Sequence, residues 1–180
     1  PSFNLRFSPK ITYRNFTITG NTIPHVFFSH RGEPIYASNF VIYDNTFKSH
    51  VFRCHGAASL YNMTVTDNNI TGSVFQFDHG TGNNSITQAV YNSTVAGNYG
   101  NISAIVNITG ANEGSSVAVF DNTFAGNVST NTAFASVYSA STVTKSIFIA
   151  NNIFANDAVM DGVGEAGKTY YGTAYDFDVA

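Results

Sequence analysis

The sequence predicts an all-β fold, a right-handed parallel β-helix of about six coils, each 23–30 residues long. Three observations predict it. A short pattern, apolar-x-apolar-x-x-Asn-x-apolar, recurs six times. Its Asn residues are spaced by 24, 23, 30, 24 and 30 residues. Charged residues make up only 11% of the chain, against about 25% in ordinary domains, while 21 Asn, 17 Ser and 19 Thr supply the surface polarity.

The pattern runs as FTITGNTI (16–23), FVIYDNTF (40–47), MTVTDNNI (63–70), STVAGNYG (93–100), VAVFDNTF (117–124) and IFIANNIF (147–154). Taking Asn21, Asn45, Asn68, Asn98, Asn122 and Asn152 as equivalent sets the register. Position −5 then holds Phe16, Phe40, Met63, Ser93, Val117 and Ile147, and position −3 holds Ile18, Ile42, Val65, Val95, Val119 and Ile149. Apolar residues two apart mark a short strand with one buried face. The Asn then sits at a bend, where it tolerates the left-handed conformation, and a new strand starts at +2 with Ile23, Phe47, Ile70, Gly100, Phe124 and Phe154. Position +6 holds Phe27, Val51, Val74, Ala104, Val128 and Ala158. Strands this short bury a face only by stacking in parallel on their equivalents, about 4.8 Å apart. Stacked Asn amides hydrogen-bond from coil to coil in such a solenoid. Coil four departs most from the pattern, with Ser93 and Gly100 at apolar positions. The longer third and fifth coils should loop outward.

An antiparallel sandwich would not hold one register over six copies, and a leucine-rich repeat needs more than Leu5 and Leu60. The repeats resemble those of the pectate-lyase-like right-handed β-helix superfamily, roughly from Ile11 to Met160. Within it, Phe124-Ala-Gly-Asn127 and Phe148-Ile-Ala-Asn151 are similar to the FxxN strings of polymorphic outer-membrane-protein-type adhesins, whose companion GGAI-type motif is absent here. The resemblance implies a solenoid fold and a surface-adhesive or polysaccharide-binding role.

The whole chain, 1–180, reads as one domain, with an irregular start over 1–10, coils over 11–160 and an irregular last coil or cap over 161–180. Residues 1–10 could also be the tail of a preceding coil. Neither end shows a capping helix, so the solenoid is expected to continue in a longer chain or to stack on neighbouring copies. Net charge is −3, with no basic stripe, so nucleic acid is not expected as a partner. No apolar run reaches the roughly 18 residues of a membrane span.

Eight Asn-x-Ser/Thr sequons occur, at Asn15, Asn62, Asn69, Asn83, Asn92, Asn101, Asn107 and Asn127. About four would arise by chance, so placement matters more than number. Asn15, Asn62 and Asn92 share position −6, which faces outward, and Asn69 at +1 does too. They are candidates for N-linked glycans and an extracellular setting. An outward Asn/Thr ladder without sugar is the competing reading, and Asn39, at −6 without a sequon, fits it.

Titratable groups concentrate in the first three coils. VFFSHRG (26–32), VFRCHG (51–56) and VFQFDHG (74–80) look equivalent and would bring His30, His55 and His79 together, with Arg31, Arg53, Cys54, Glu33 and Asp78 nearby. If the protein is an enzyme, His30, Arg53, His55, Asp78 and His79 are its candidate catalytic residues, moving protons in a polysaccharide lyase or hydrolase groove. The simpler reading, which we favour, is a His-Gly turn copied by repeat duplication. Neither the paired Asp residues of polygalacturonase-like enzymes nor an Asp cluster for a lyase Ca²⁺ is visible. Cys54 reads as a small buried residue. Asp44, Asp67 and Asp121 at position −1 read as turn residues rather than a Ca²⁺ ladder. No cofactor or metal is expected. The leading expectation is an extracellular structural or adhesive module.

Overall fold

In the structure, a computed structural model, residues 3–8, 10–32, 34–78, 86–109, 116–131, 134–139, 146–155, 158–159 and 169–171 are described. They build strands and no helix. In one sheet Phe3–Ser8, Phe28–Gly32, Phe52–Cys54, Asn69–Asp78 and Tyr99–Thr109 follow one another in parallel. In the other, Ile11–Thr19 lies on Ile35–Tyr43, and from there two parallel ladders rise. One ladder passes through Ala58–Tyr61, Thr87–Tyr91, Ser116–Phe120 and Ser146–Ala150. The other passes through Thr64–Thr66, Thr94–Ala96, Thr123–Ala125 and Ile153–Ala155. Parallel pairing between residues 23 to 31 apart is the signature of a β-helix. Among the described residues one pair is antiparallel, Ala135–Ser139 with Thr169–Tyr171.

Residues Phe3–Ser8 are not irregular; they form a strand stacked on the next coil, as a preceding coil's tail would. Of 161–180, only Thr169–Tyr171 is described.

The register corrects the expected one in two coils. Asn21, Asn45, Asn68 and Asn98 do form a column, linked at separations of 24, 23 and 30 residues. The next member is Asn127, 29 residues on, and not Asn122. Asn122 and Asn152 belong to a second column, in which Ser93 N–H donates to Asn122 Oδ1 and Asn122 N–H donates to Asn152 Oδ1. The cause is a repeat inside each coil. Val117, Val119, Asn122, Phe124 and Asn127 place two strand-plus-bend units five residues apart, each ending at a bend with an Asn. The inward partners of Val95 are therefore Phe124 and then Phe154, and Ser129 stacks beside Gly100. A register shift after Gly72 likewise sets Ser73 opposite Ala104.

The column is bonded on every side. Asn68 Nδ2 donates to Thr66 O, Ile42 O and Asn98 Oδ1, and Asn68 Oδ1 accepts from the N–H and Nδ2 of Asn45. These amides are buried, so the ladder satisfies groups that would otherwise cost free energy. The left-handed residue at each bend is the one before the ladder residue, not the ladder Asn itself. Gly20, Asp44, Asp67, Gly97 and Gly126 take that role in the first column; Asn15, Asn39, Asn62, Asn92, Asp121 and Asn151 take it in the second. Short polar side chains and Gly tolerate this conformation best. So Asp44, Asp67 and Asp121 are bend residues, and among the described residues no group of His, Cys, Asp or Glu could hold a metal ion.

Inside, Phe27, Phe28, Phe47, Phe52, Phe75 and Phe77 are fully buried, and the rings of Phe52 and Phe75 stack at 5.6 Å. Each such ring contributes about 1.5–3 kcal/mol through burial.

Candidate functional site

The long strands Asn69–Asp78 and Tyr99–Thr109 position the site. Side chains two apart on a strand share a face. Gln76 and Asp78 therefore point the same way, and their register partners Asn107 and Thr109 stand beside them. On the other side Arg53 is the partner of Gln76. The result is an outward patch of Arg53, His55, Gln76, Asp78, Asn107 and Thr109.

Asp78 is its centre. Arg53 Nε donates to Asp78 Oδ2 at 2.6 Å. Gln76 Nε2 and Thr109 Oγ1 both donate to Oδ1. Gln76 Nε2 also donates to Thr109 Oγ1. His55 Nδ1 lies 3.7 Å from Oδ2, beyond direct hydrogen bonding. Burial by itself would raise the Asp78 pKa, but the hydrogen bonds from Thr109, Gln76 and Arg53, with the Arg53 charge, outweigh it and hold the carboxyl below its usual range. Burial pushes the His55 imidazole below its ordinary value; Asp78 opposes this and Arg53, Arg31 and His30 add to it. His50, whose Nδ1 accepts from Ser73 N–H, is lowered in the same way by burial and then Arg53. The patch thus holds an ionised, fully engaged carboxylate beside neutral imidazoles. Such a carboxylate is a weak base toward anything arriving from solvent.

The expected stack of three histidines does not form. VFFSHRG and VFRCHG have the same length up to the His, but the strands pair Phe28 with Phe52, one residue off the shared Val-Phe start, so His30 is in register with Cys54 and not with His55. His30 is buried in the core, and Arg31 is exposed. Arg53, His55 and Asp78 do converge; His79 and Glu33 lie outside the described residues. Cys54 is buried as expected, and burial, then the Asp78 charge, pushes its thiol up to about 12. At neutral pH it is an inert thiol. Gln76 and Thr109 are not among the sequence candidates, and Asn107 is there only as a sequon. Their signal was the alternation in QFD (76–78) and NIT (107–109), visible only once the two strands are aligned.

The sequons divide by placement. Asn15, Asn62, Asn92 and Asn101 are exposed, and Asn69 is half-buried. Asn107 is buried, and Asn127 is 0% exposed, its Oδ1 accepting from the N–H and Nδ2 of Asn98. That placement removes Asn107 and Asn127 as glycan carriers, because a glycan needs a solvent-facing amide. Asn127 was misplaced by the same five-residue ambiguity that misassigned Asn122. Asn83 lies outside the described residues. Along the exposed bend, Asn62 Nδ2 donates to Asn39 Oδ1 and Asn39 Nδ2 to Asn15 Oδ1, an outward Asn ladder.

A second surface feature is an aromatic row. Tyr61, Tyr91 and Phe120 stack at 5.3 and 4.8 Å, and Phe148 follows edge-on at 6.3 Å. Phe148 and Ile153 are each 58% exposed.

No family model matches the chain, and searches of curated proteins and of solved structures return no match.

Proposed function

We propose that this chain is a non-enzymatic extracellular structural or adhesive module, part of a cell-surface protein or of a fibre built by stacking. The observation that supports it best is the state of the patch around Asp78: the carboxylate spends its lone pairs on Gln76 of its own strand and on Arg53 and Thr109 of the neighbouring coils. The carboxylate ties coils together and is not free to act as a base on a substrate. Exposed sequons at Asn15, Asn62, Asn92 and Asn101 and the aromatic row running across four coils suit an outward, glycan-bearing, adhesive surface. The partners in this reading are N-linked glycans, flanking coils or further copies, and extracellular polysaccharide. Negative-stain imaging of native material tests it: extended or surface-attached particles are expected, and dispersed monomers with no attachment would sink it.

A second reading, a polysaccharide lyase or hydrolase, draws on the convergence of Arg53, His55 and Asp78 on one outward face. Incubation with pectin and alginate decides between them. Chain cleavage that is lost in His55→Ala would favour the enzyme.

A further inference from the structure

The geometry points to a covalent cross-link within this chain: an ester joining Thr109 Oγ1 to the side-chain carbonyl carbon of Gln76, formed with loss of ammonia.

Every part of that reaction stands at the patch. The nucleophile is the Thr109 hydroxyl, which donates to Asp78 Oδ1, so a base already holds its proton. The electrophile is the Gln76 amide, whose Nε2 donates both to Thr109 Oγ1 and to the same Asp78 oxygen. The three polar atoms close a triangle. Gln76 Oε1, where negative charge would develop, accepts a hydrogen bond from Ser73 Oγ at 3.3 Å. A donor at that atom stabilises the tetrahedral species. Arg53, next to Gln76 in register, anchors Asp78 through Oδ2 and brings a positive charge to the same place. On the far side Asn107, also in register with Gln76, has a buried Oδ1 with no hydrogen-bond partner. An unsatisfied buried acceptor is rare, and here it belongs to the residue paired with Gln76 on the next strand.

The step balances. Thr109 Oγ1 forms a bond to Gln76 Cδ while its proton passes to Asp78 Oδ1 and the carbonyl π pair moves to Oε1. When that pair returns, the Cδ–Nε2 bond breaks. Asp78 hands the proton to Nε2, and ammonia departs. The products are one ester and one ammonia, with Asp78 again ionised and no oxidant or reductant consumed. Gln76 is only 5% exposed, so water competes poorly as nucleophile. Two side chains fixed on paired strands gain a high effective concentration, and departure of ammonia into dilute solution draws the exchange forward. A weak base suffices because the reaction runs once per chain.

The test is the intact mass of the 180-residue chain, made in a host without N-glycosylation. A folded chain lighter than its sequence by one ammonia, about 17 Da, is expected. Digestion should yield the peptides of Gln76 and Thr109 joined, and mild base should release them. Thr109→Ser should keep the link; Thr109→Val, of the same shape, should restore full mass. A folded wild-type chain at full mass, with the two peptides separate, overturns the proposal whether or not the variants fold. So does a mass deficit that persists in Thr109→Val, since it would lie at another residue.

Discussion

Removing one amide from the middle of the first Asn column should cost far more than removing the first one. Asn68→Ala deletes five side-chain hydrogen bonds: two accepted from Asn45 and three donated to Ile42 O, Thr66 O and Asn98 Oδ1. The Asn45 N–H is then a buried donor with no acceptor, which costs about 1–3 kcal/mol, and the other lost bonds add about 0.5–1.5 kcal/mol each where nothing replaces them. Relaxation and entering water recover part of this, so about 3–5 kcal/mol is expected. Asn21→Ala at the start of the column loses only the bonds to Thr19 O and Asn45 Oδ1, one of them exposed. About 1 kcal/mol is expected there. Urea unfolding followed by circular dichroism measures both, and an unchanged slope would show that the shift in midpoint reports stability. If the two variants fell within about 1 kcal/mol of each other, the ladder would be an ornament of the fold and not a source of its stability.

Acid should weaken the protein in two stages. The folded pKa values of His55 and His50 lie below the ordinary 6.5, so the stability they contribute is complete above that value and is lost as pH falls through their folded pKa values. Asp78, lowered from 3.8, follows the same sign at lower pH: its contribution is complete above 3.8 and disappears below it. Thermal melts from pH 7 to pH 2 should show both declines, and Asp78→Asn should remove the second. Gly100→Ala should cost about 3 kcal/mol or more, because at φ 123° its new Cβ would stand 2.6 Å from Ile70 O. Gly20→Ala, with open space around it, should cost only the left-handed penalty of about 1 kcal/mol; equal melting shifts would contradict this. Glycopeptide mapping of protein secreted from a eukaryotic host should find sugar at Asn15, Asn92 or Asn101 and none at Asn127. Sugar at Asn127 in folded material would mean that the column is open there.

The parallel stacking was legible because short strands with a single greasy face have few other ways to hide it. The exact coil was less legible, and the reason lies in the pattern. Val117-x-Val119-x-x-Asn122 and Asn122-x-Phe124-x-x-Asn127 both end a strand at a bend with an amide. In the first three coils the preceding unit ends at Phe16, Phe40 and Met63, so only one Asn fits and the register is unambiguous. In coil five both units carry Asn, and a shift of five residues still ends a strand at an Asn-bearing bend. Backbone pairing settles it, since Thr94 pairs with Thr123 and not with Ala118.

The patch was legible only in part, through Arg53, His55 and Asp78, for a related reason. Titratable residues attract notice, and His30, His55 and His79 each stand shortly before a Gly near the end of similar segments. A one-residue offset in the pairing turns His30 into the core and leaves Asp78 beside His55. What completes the patch is Gln76, Asn107 and Thr109, neutral residues indistinguishable in composition from dozens of other outward Asn, Gln and Thr side chains. Their importance comes from place alone: a 23-to-30-residue coil brings distant neutral groups to hydrogen-bonding distance of one carboxylate. In a solenoid poor in charge, a single Asp can therefore organise chemistry across three coils, and such sites have to be sought by aligning strands, not by searching for motifs.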